Sequence, residues 1–184
     1  MKILVKFLVF CMLTLIMFTT ANAYEIIKSY SFDTSDKLDA WNTNYNARWE
    51  FGTRDKKGSV SWSSEYGGTA KLTVSGAPCA IHFWRTLPID LTFGDQVIIK
   101  FYTPSALYPI GGFDIILGPA EPHGHKQSVS VSTESEGYYT VNMPIWTPGV
   151  FKSGTPFGVC VSVWPGSLTI YIKKILLVRE SEED

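Results

Sequence analysis

The sequence predicts an all-β protein that folds as a two-sheet antiparallel β-sandwich of the jelly-roll type. Three observations predict it: strict alternation of apolar and polar side chains in short segments, Gly and Pro residues between those segments, and the absence of any long helical period. Successive side chains of a strand point to opposite faces, so a period of two indicates half-buried strands. Many short strands separated by turns in one domain are typical of two packed sheets.

The N-terminal segment predicts export of the chain. Lys2 and Lys6 precede an apolar run, 7–18, and residues 21–23 read Ala-Asn-Ala, the small-x-small pattern of a signal-peptidase site. The run is shorter than the roughly 20 residues that span a membrane, so we expect a cleaved signal peptide at 1–23 and no membrane insertion afterwards. The predicted location is secreted, either extracellular or periplasmic.

Cleavage leaves one domain with a mildly acidic surface. Removing 23 of the 184 residues leaves 161, which we divide into a sandwich at 24–179 and a solvated acidic tail at 180–184. The chain has 16 Lys and Arg against 17 Asp and Glu, and loss of the two lysines shifts the net charge from −1 to −3. With no basic block, the composition disfavours nucleic acid and anionic membranes as partners.

Ten strands are predicted in chain order, separated by turn chemistry such as Gly67-Gly68, Gly94-Asp95 and Pro165-Gly166. Their bounds are 25–32, 59–62, 69–75, 79–85, 96–103, 112–117, 128–132, 138–143, 157–164 and 168–178. The polar and aromatic segment 33–48 is predicted to be a loop that walls a groove, connects strands or covers one sheet face.

The alternation within the strands also predicts a ligand-binding face. This face is formed by the side chains on the side of each strand opposite the aliphatic ones. Its predicted members are Trp84, Tyr102, Trp164, His82, Lys100, Asp114 and Asn142. Indole and phenol rings stack on the C–H face of a sugar, and polar groups bond its hydroxyl rim. We therefore predict that the three rings and four polar groups bind a polysaccharide or oligosaccharide. The other interpretation is that a loop covers Trp84 and Trp164, which then form a second small core.

Two further functions stay open. The aromatic face would also suit a surface or periplasmic protein-interaction module. A small glycoside hydrolase needs two facing carboxylates, whereas Asp114 is the only acid on the predicted face. A polysaccharide lyase needs less, and His82, Tyr102 and Arg85 are its candidate residues. Since no Gly-x-Ser-x-Gly or His-Glu-x-x-His motif occurs, we favour a noncatalytic protein.

Cysteine and histidine residues give weaker signals. Cys79 and Cys160 permit one disulfide in an exported protein, but they fall on opposite parities, so both a bridge and two free thiols stay open. Glu121, His123 and His125 have the composition of a metal site, but a solvated loop is favoured because no other cluster completes the coordination.

Short motifs along the chain resemble the jelly-roll carbohydrate-binding modules of the galactose-binding-like group. Residues 30–36, Tyr-Ser-Phe-Asp-Thr-Ser-Asp, followed by Trp41, are similar to that group's Phe-Glu-Asp-Gly…Trp opening. Residues 67–74 resemble its Gly-x-x-Ala-Leu-x-Val strand, and residues 168–178 resemble its last strand, Tyr-Ile-Asp-Asp-Ile-x-Leu-Val. The resemblance spans the mature chain and implies a sandwich that binds carbohydrate without catalysis.

The resemblance also implies a structural Ca²⁺, held by an acid near the first strand and an Asp of the last one. Lys173 and Lys174 stand at the matching positions of the last strand. Ammonium groups repel a cation that needs oxygen ligands, although Asp33 and Asp36 remain as candidate ligands. The sequence therefore disfavours Ca²⁺ and predicts no cofactor.

Overall fold

The computed structural model describes residues 24–44, 58–76, 79–118, 127–146, 151–163 and 166–181. Within these ranges the chain forms strands and two short 3-10 helices, Ser35–Leu38 and Glu65–Gly67. The strands are β1 Tyr24–Ser31, β2 Asn42–Asn44, β3 Gly58–Ser63, β4 Thr69–Gly76, β5 Cys79–Thr86, β6 Gln96–Thr103, β7 Gly111–Leu117, β8 Gln127–Val131, β9 Gly137–Pro144, β10 Pro156–Val163 and β11 Gly166–Glu180. No helix in the described part of the chain has the length and hydrophobicity of a membrane span.

The strands build two antiparallel sheets. The six-stranded sheet has the order β3-β4-β11-β6-β9, with β1 also paired to β11, and the five-stranded sheet has the order β2-β5-β10-β7-β8. Strand β11 is long enough to pair with two strands along one edge, with β4 over 166–172 and with β1 over 174–180. The predicted all-β class and two-sheet antiparallel sandwich are confirmed.

All ten predicted strands are present, with ends displaced by at most two residues. The prediction that 33–48 is only a loop is wrong at β2, which pairs Asn42 with Trp84 and Asn44 with His82 at the edge of the five-stranded sheet. The sequence Asn-Thr-Asn has little intrinsic preference for a strand, so the pairing depends on tertiary context rather than on a local pattern.

The core lies between the sheets and is filled by the inward-pointing apolar side chains of their strands. Phe83 of β5, Phe101 of β6, Phe113 of β7 and Phe157 of β10 are all fully or almost fully buried. The rings of Phe101 and Phe113 meet edge to face, 4.8 Å apart, and so connect the two sheets. Burying a side chain of this size stabilises the fold by roughly 2 to 3 kcal/mol.

Trp41 closes one end of the sandwich. Its indole is buried and stacks on Phe83 with ring centroids 4.6 Å apart, and the edge of Tyr30 approaches at 5.6 Å. The guanidinium of Arg85 lies 4.4 Å from the centroid of the Tyr30 ring. This part of 33–48 therefore belongs to the core.

An ion pair between the exposed Arg179 and the buried Asp95 joins the end of β11 to the residue before β6. Arg179 donates two hydrogen bonds to the Asp95 carboxylate, of 2.8 and 2.7 Å, and the Thr92 backbone N–H donates a third of 2.8 Å. Burial raises the pKa of Asp95, but the hydrogen bonds from Arg179 and Thr92 outweigh burial and hold that pKa below its ordinary value. The ion pair fixes the C-terminal end of β11, the strand with which both β1 and β4 pair.

Candidate functional site

The sandwich has two outer faces, and the predicted ligand residues are divided between them. His82, Trp84 and Asp114 lie on the outward parity of the five-stranded sheet, whereas Lys100, Tyr102 and Asn142 lie on that of the six-stranded sheet. Trp164 lies outside the described residues.

The prediction of one continuous face is therefore wrong. Alternation shows which residues of one strand share a side, but it does not show which sheet the strand joins. Strands β6 and β9 join the six-stranded sheet, so their outward side chains are separated from those of β5 and β7 by the whole core.

On the outer face of the five-stranded sheet, one row of paired residues crosses four strands. Cys160 is paired with His82 on one side and with Asp114 on the other, and Asp114 is paired with Ser130. The Ser130 hydroxyl donates a 2.5 Å hydrogen bond to Asp114 Oδ1. His82 is only 6% exposed and Cys160 only 2%, so the accessible part of this row is Asp114 and Ser130.

A pocket of about 430 Å³ opens at the Asp114 end of this row. Its polar lining comprises Asp114, Ser130, Ser132 and Ser162, and Tyr108, which is 69% exposed, also lines it. The pocket combines one carboxylate, three hydroxyl groups and an open aromatic ring.

Glycine residues keep the strands beneath this region close together. A Cβ atom on Gly112, which also lines the pocket, would lie 2.8 Å from the Val131 carbonyl oxygen. A Cβ atom on Gly158, which pairs with Trp84 and Ile116 in the next row, would lie 2.1 Å from the Phe83 carbonyl oxygen. Gly158, which has no side chain, therefore lies between the half-buried Trp84 and Ile116 on this face.

The charge of the pocket comes from a carboxylate and not from a thiolate. Cys160 is a free, buried thiol, and burial, followed by the neighbouring Asp114 carboxylate, raises its pKa far above the ordinary value. Its strand pairs Cys79 with Val163, three residues away from Cys160. Of the two alternatives for the cysteines, the free thiol is thus correct for Cys160, and a neutral, buried thiol is a poor nucleophile.

The outer face of the six-stranded sheet carries four tyrosines that contact one another. Tyr66 stacks on Tyr102 with centroids 3.9 Å apart and meets Tyr171 at 4.8 Å, while Tyr138 lies 4.9 Å from Tyr102. A hydrogen bond with Tyr102, together with desolvation, raises the pKa of Tyr66 to about 12. Most ring surface here is therefore used within the cluster, and only Tyr138, 71% exposed, is open.

The other predicted residues of this sheet, Lys100 and Asn142, are not members of the tyrosine cluster. Asn142 donates a 3.0 Å hydrogen bond to Gln96 Oε1, and Lys100 is exposed. The trio proposed for a lyase is also separated, because His82 and Tyr102 lie on opposite outer faces and Arg85 packs on Tyr30. That catalytic arrangement is not formed.

No group of three or more His, Cys, Asp or Glu side chains in the described ranges is placed to hold a metal ion. The predicted candidates Glu121, His123 and His125 lie outside those ranges.

The tyrosine and the three serines of the pocket were not predicted as site residues: Tyr108, Ser130, Ser132 and Ser162. A signal for two of them is present in the sequence, since Ser128, Ser130 and Ser132 alternate with valines in and just after β8. A period of two with serine on the outward parity marks a hydroxyl-lined sheet face. Tyr108 had only its place in a loop to indicate it.

The fold is similar to that of known carbohydrate-binding modules. A family 11 module from Clostridium thermocellum, solved with a mixed-linked β-1,3-1,4 tetrasaccharide, has a TM-score of 0.57 and 13% identity over 89% of this chain and 100% of that one. A family 27 module that recognises mannan has a TM-score of 0.52 and 14% identity, over 86% and 99% of the two chains. A family 22 xylan-binding domain from Paenibacillus barcinonensis has a TM-score of 0.50 and 11% identity, over 89% and 100%.

These structures confirm the predicted resemblance at the level of the fold. No protein-family model matches the sequence, and no curated protein is significantly similar to it in sequence. The described chain therefore has a jelly-roll β-sandwich fold, as these modules do.

Proposed function

We propose that the protein is a secreted, noncatalytic carbohydrate-binding protein whose site is the pocket on the outer face of the five-stranded sheet. One observation carries the proposal: a pocket of about 430 Å³ brings the Asp114 carboxylate and three serine hydroxyls together beside an exposed tyrosine. A carboxylate accepts hydrogen bonds from sugar hydroxyls, serines donate and accept, and an open ring stacks on the C–H face of a pyranose.

The structural neighbours support the same ligand class. The family 11 module was solved with a β-1,3-1,4-mixed-linked tetrasaccharide, the family 27 module recognises mannan, and the family 22 domain binds xylan. Another neighbour, a family 61 module with a TM-score of 0.52 and 11% identity, was solved with β-1,4-galactotriose. All four ligands are built from hydroxylated rings, which is the chemistry that the pocket lining suits.

The pocket favours neutral sugars over acidic ones. Asp114 is the only charged side chain among the described residues that line it. A uronate or sulfate group placed there would face a carboxylate of the same sign in a partly desolvated site, and no cationic side chain is among the described lining residues to offset it. The same composition supports binding rather than hydrolysis, since hydrolysis needs a second carboxylate.

The first test is a panel of glycans measured by titration calorimetry. We expect at least one neutral polysaccharide, among mannan, xylan, mixed-linked β-glucan and β-1,4-galactan, to bind, and polygalacturonate and alginate to bind at least tenfold more weakly. Asp114→Asn keeps the side-chain shape but removes the charge, and we expect it to lower neutral-glycan affinity about tenfold, as for loss of a charge-assisted hydrogen bond.

Lys100→Met is the matched control, because Lys100 is an exposed charged residue of the opposite sheet. Its affinity should equal that of the native protein. If no glycan binds, the proposed function is wrong. If a polyuronate binds as tightly as the neutral glycans, the function stands and only the charge selectivity is wrong.

Export is part of the proposal and is supported by the basic, apolar and small-residue segments of 1–23. N-terminal sequencing of the protein recovered from outside the cytoplasm tests it. A first residue of Tyr24 is expected, and an intact Met1 would contradict it.

A further inference from the structure

The side chain of Lys173 is surrounded by backbone carbonyl oxygens. Its ammonium group donates hydrogen bonds to the carbonyls of Tyr66, Gly67 and Gly68, of which the first and last are 3.2 and 3.3 Å long. An ammonium has three N–H donors, so three neutral acceptors match it one to one. We call these three carbonyls and the ammonium the lysine cradle.

The cradle requires an unusual backbone. Tyr66, Gly67 and Gly68 have φ angles of 56°, 77° and 83°, so three successive residues lie in the left-handed region. Tyrosine rarely adopts such an angle, because its Cβ atom crowds the following carbonyl. Gly68 cannot be replaced without displacement, since a Cβ atom there would lie 2.7 Å from the backbone of Asp33.

The cradle lies where β11 changes partners. Pairing with β4 ends at Ile172, pairing with β1 begins at Lys174, and the register against β6 shifts between the same two residues. Lys173 therefore occupies the irregularity between two ladders. By binding the carbonyls of the turn before β4, the Lys173 ammonium attaches that turn to β11, the strand at the centre of the sheet.

The donor set does not fit the Ca²⁺ ion that the resemblance implies. Ca²⁺ takes six to eight oxygen ligands, carboxylates among them. Here the three carbonyls are already bonded to an ammonium, and the position expected to supply an Asp supplies that ammonium instead. The Asp33 carboxylate accepts a 3.1 Å hydrogen bond from the Ser31 hydroxyl.

We propose that the Lys173 ammonium is a built-in structural cation that replaces a divalent ion in this sandwich. It holds the 66–68 turn in its left-handed conformation, and thereby keeps the Tyr66 ring 3.9 Å from that of Tyr102. At this position among the described residues, the fold consequently needs no calcium. This proposal does not depend on which ligand the opposite face binds.

Thermal unfolding of the purified protein with EDTA and with millimolar calcium tests the proposal. The melting temperature of the native protein is expected to be the same in both. Lys173→Met retains the length of the side chain but not the charge, and is expected to lower the melting temperature by several degrees without restoration by calcium. Lys174→Met, on the same strand with no bond to the cradle, is the control and should melt like the native protein.

A spectroscopic readout covers the case in which Lys173→Met fails to fold. In the native protein, an ammonium bonded to three carbonyls exchanges its protons slowly with water and should give a lysine ammonium signal in a ¹H–¹⁵N spectrum. The Lys174→Met variant should retain the signal. Stabilisation of the native protein by calcium, equal melting of the two variants, or absence of the signal would each overturn the proposal.

Discussion

The two outer faces of the sandwich contain similar residue types and use them differently. On the six-stranded sheet, four tyrosines contact one another and a lysine is bonded to three carbonyls. On the five-stranded sheet, Tyr108 is 69% exposed beside a pocket with one carboxylate and three serines. The first face uses most of its aromatic ring surface in contacts within the cluster, whereas the second combines an exposed ring with a pocket that a ligand could enter.

This difference shows that composition alone does not identify a binding face. The six-stranded face is richer in aromatic residues, yet the stacking of Tyr66 on Tyr102 covers the ring surface that a sugar would need. The five-stranded face has few rings, but its pocket is lined in part by Gly111 and Gly112, which present no side chain to a ligand. Access, rather than the number of aromatic residues, therefore distinguishes the two.

The largest effect is expected from adding a side chain at Gly158 of the five-stranded sheet. In Gly158→Ala the new Cβ atom would lie 2.1 Å from the Phe83 carbonyl oxygen, so β5 and β10 must separate. We expect a loss of about 3 kcal/mol in the free energy of unfolding, as for severe overpacking, measured by urea denaturation.

Gly58→Ala is the matched control on the six-stranded sheet. Its Cβ atom would be no closer than 3.3 Å to any neighbour, so a change of less than about 1 kcal/mol is expected. Equal stabilities of the two variants would contradict the close approach of β5 and β10.

A smaller effect is expected from the tyrosine cluster of the six-stranded face. The pKa of Tyr66 is raised from 10.0 to about 12 chiefly by its hydrogen bond with Tyr102. In the folded protein, ultraviolet titration should show Tyr66 ionising near pH 12, and Tyr102→Phe should return this ionisation toward pH 10. Because the folded state holds this proton more tightly than the unfolded state, the stabilisation is complete below pH 10 and is lost as the pH rises to about 12.

Tyr138→Phe serves as the comparison for that titration. Tyr138 meets the edge of Tyr66 at 6.0 Å, and Tyr102, not Tyr138, is the hydrogen-bond partner that raises the Tyr66 pKa. The high ionisation should persist in this variant. Its loss there, with retention in Tyr102→Phe, would mean that the partner of Tyr66 has been misassigned.

The fold could be predicted from the sequence because strand patterns are local. The alternation in 79–85, 96–103 and 157–164 identifies the buried side chains Phe83, Phe101 and Phe157 correctly. The sheet to which each strand belongs could not be predicted, because it depends on pairings between strands far apart in the chain, such as β5 with β10.

The candidate site was predicted only in part for the same reason. Asp114 was identified from its parity, and it lies in the pocket. Tyr102 also alternates with aliphatic residues along its strand. Because β6 belongs to the other sheet, Tyr102 lies on the opposite outer face, where the Tyr66 ring covers it. The residue that covers Tyr102 is held by Lys173 from 107 positions along the chain, and such a contact has no local pattern.

The most direct measurement of the central claim compares two equally exposed tyrosines on opposite faces. Tyr108 is 69% exposed at the pocket and Tyr138 is 71% exposed on the six-stranded face. The affinity of Tyr108→Ala and Tyr138→Ala for the best neutral glycan is to be measured by titration calorimetry. We expect Tyr108→Ala to weaken binding about tenfold, from loss of ring stacking, and Tyr138→Ala to bind as the native protein does. Weakened binding in Tyr138→Ala with native affinity in Tyr108→Ala would contradict the assignment of the site to the five-stranded sheet.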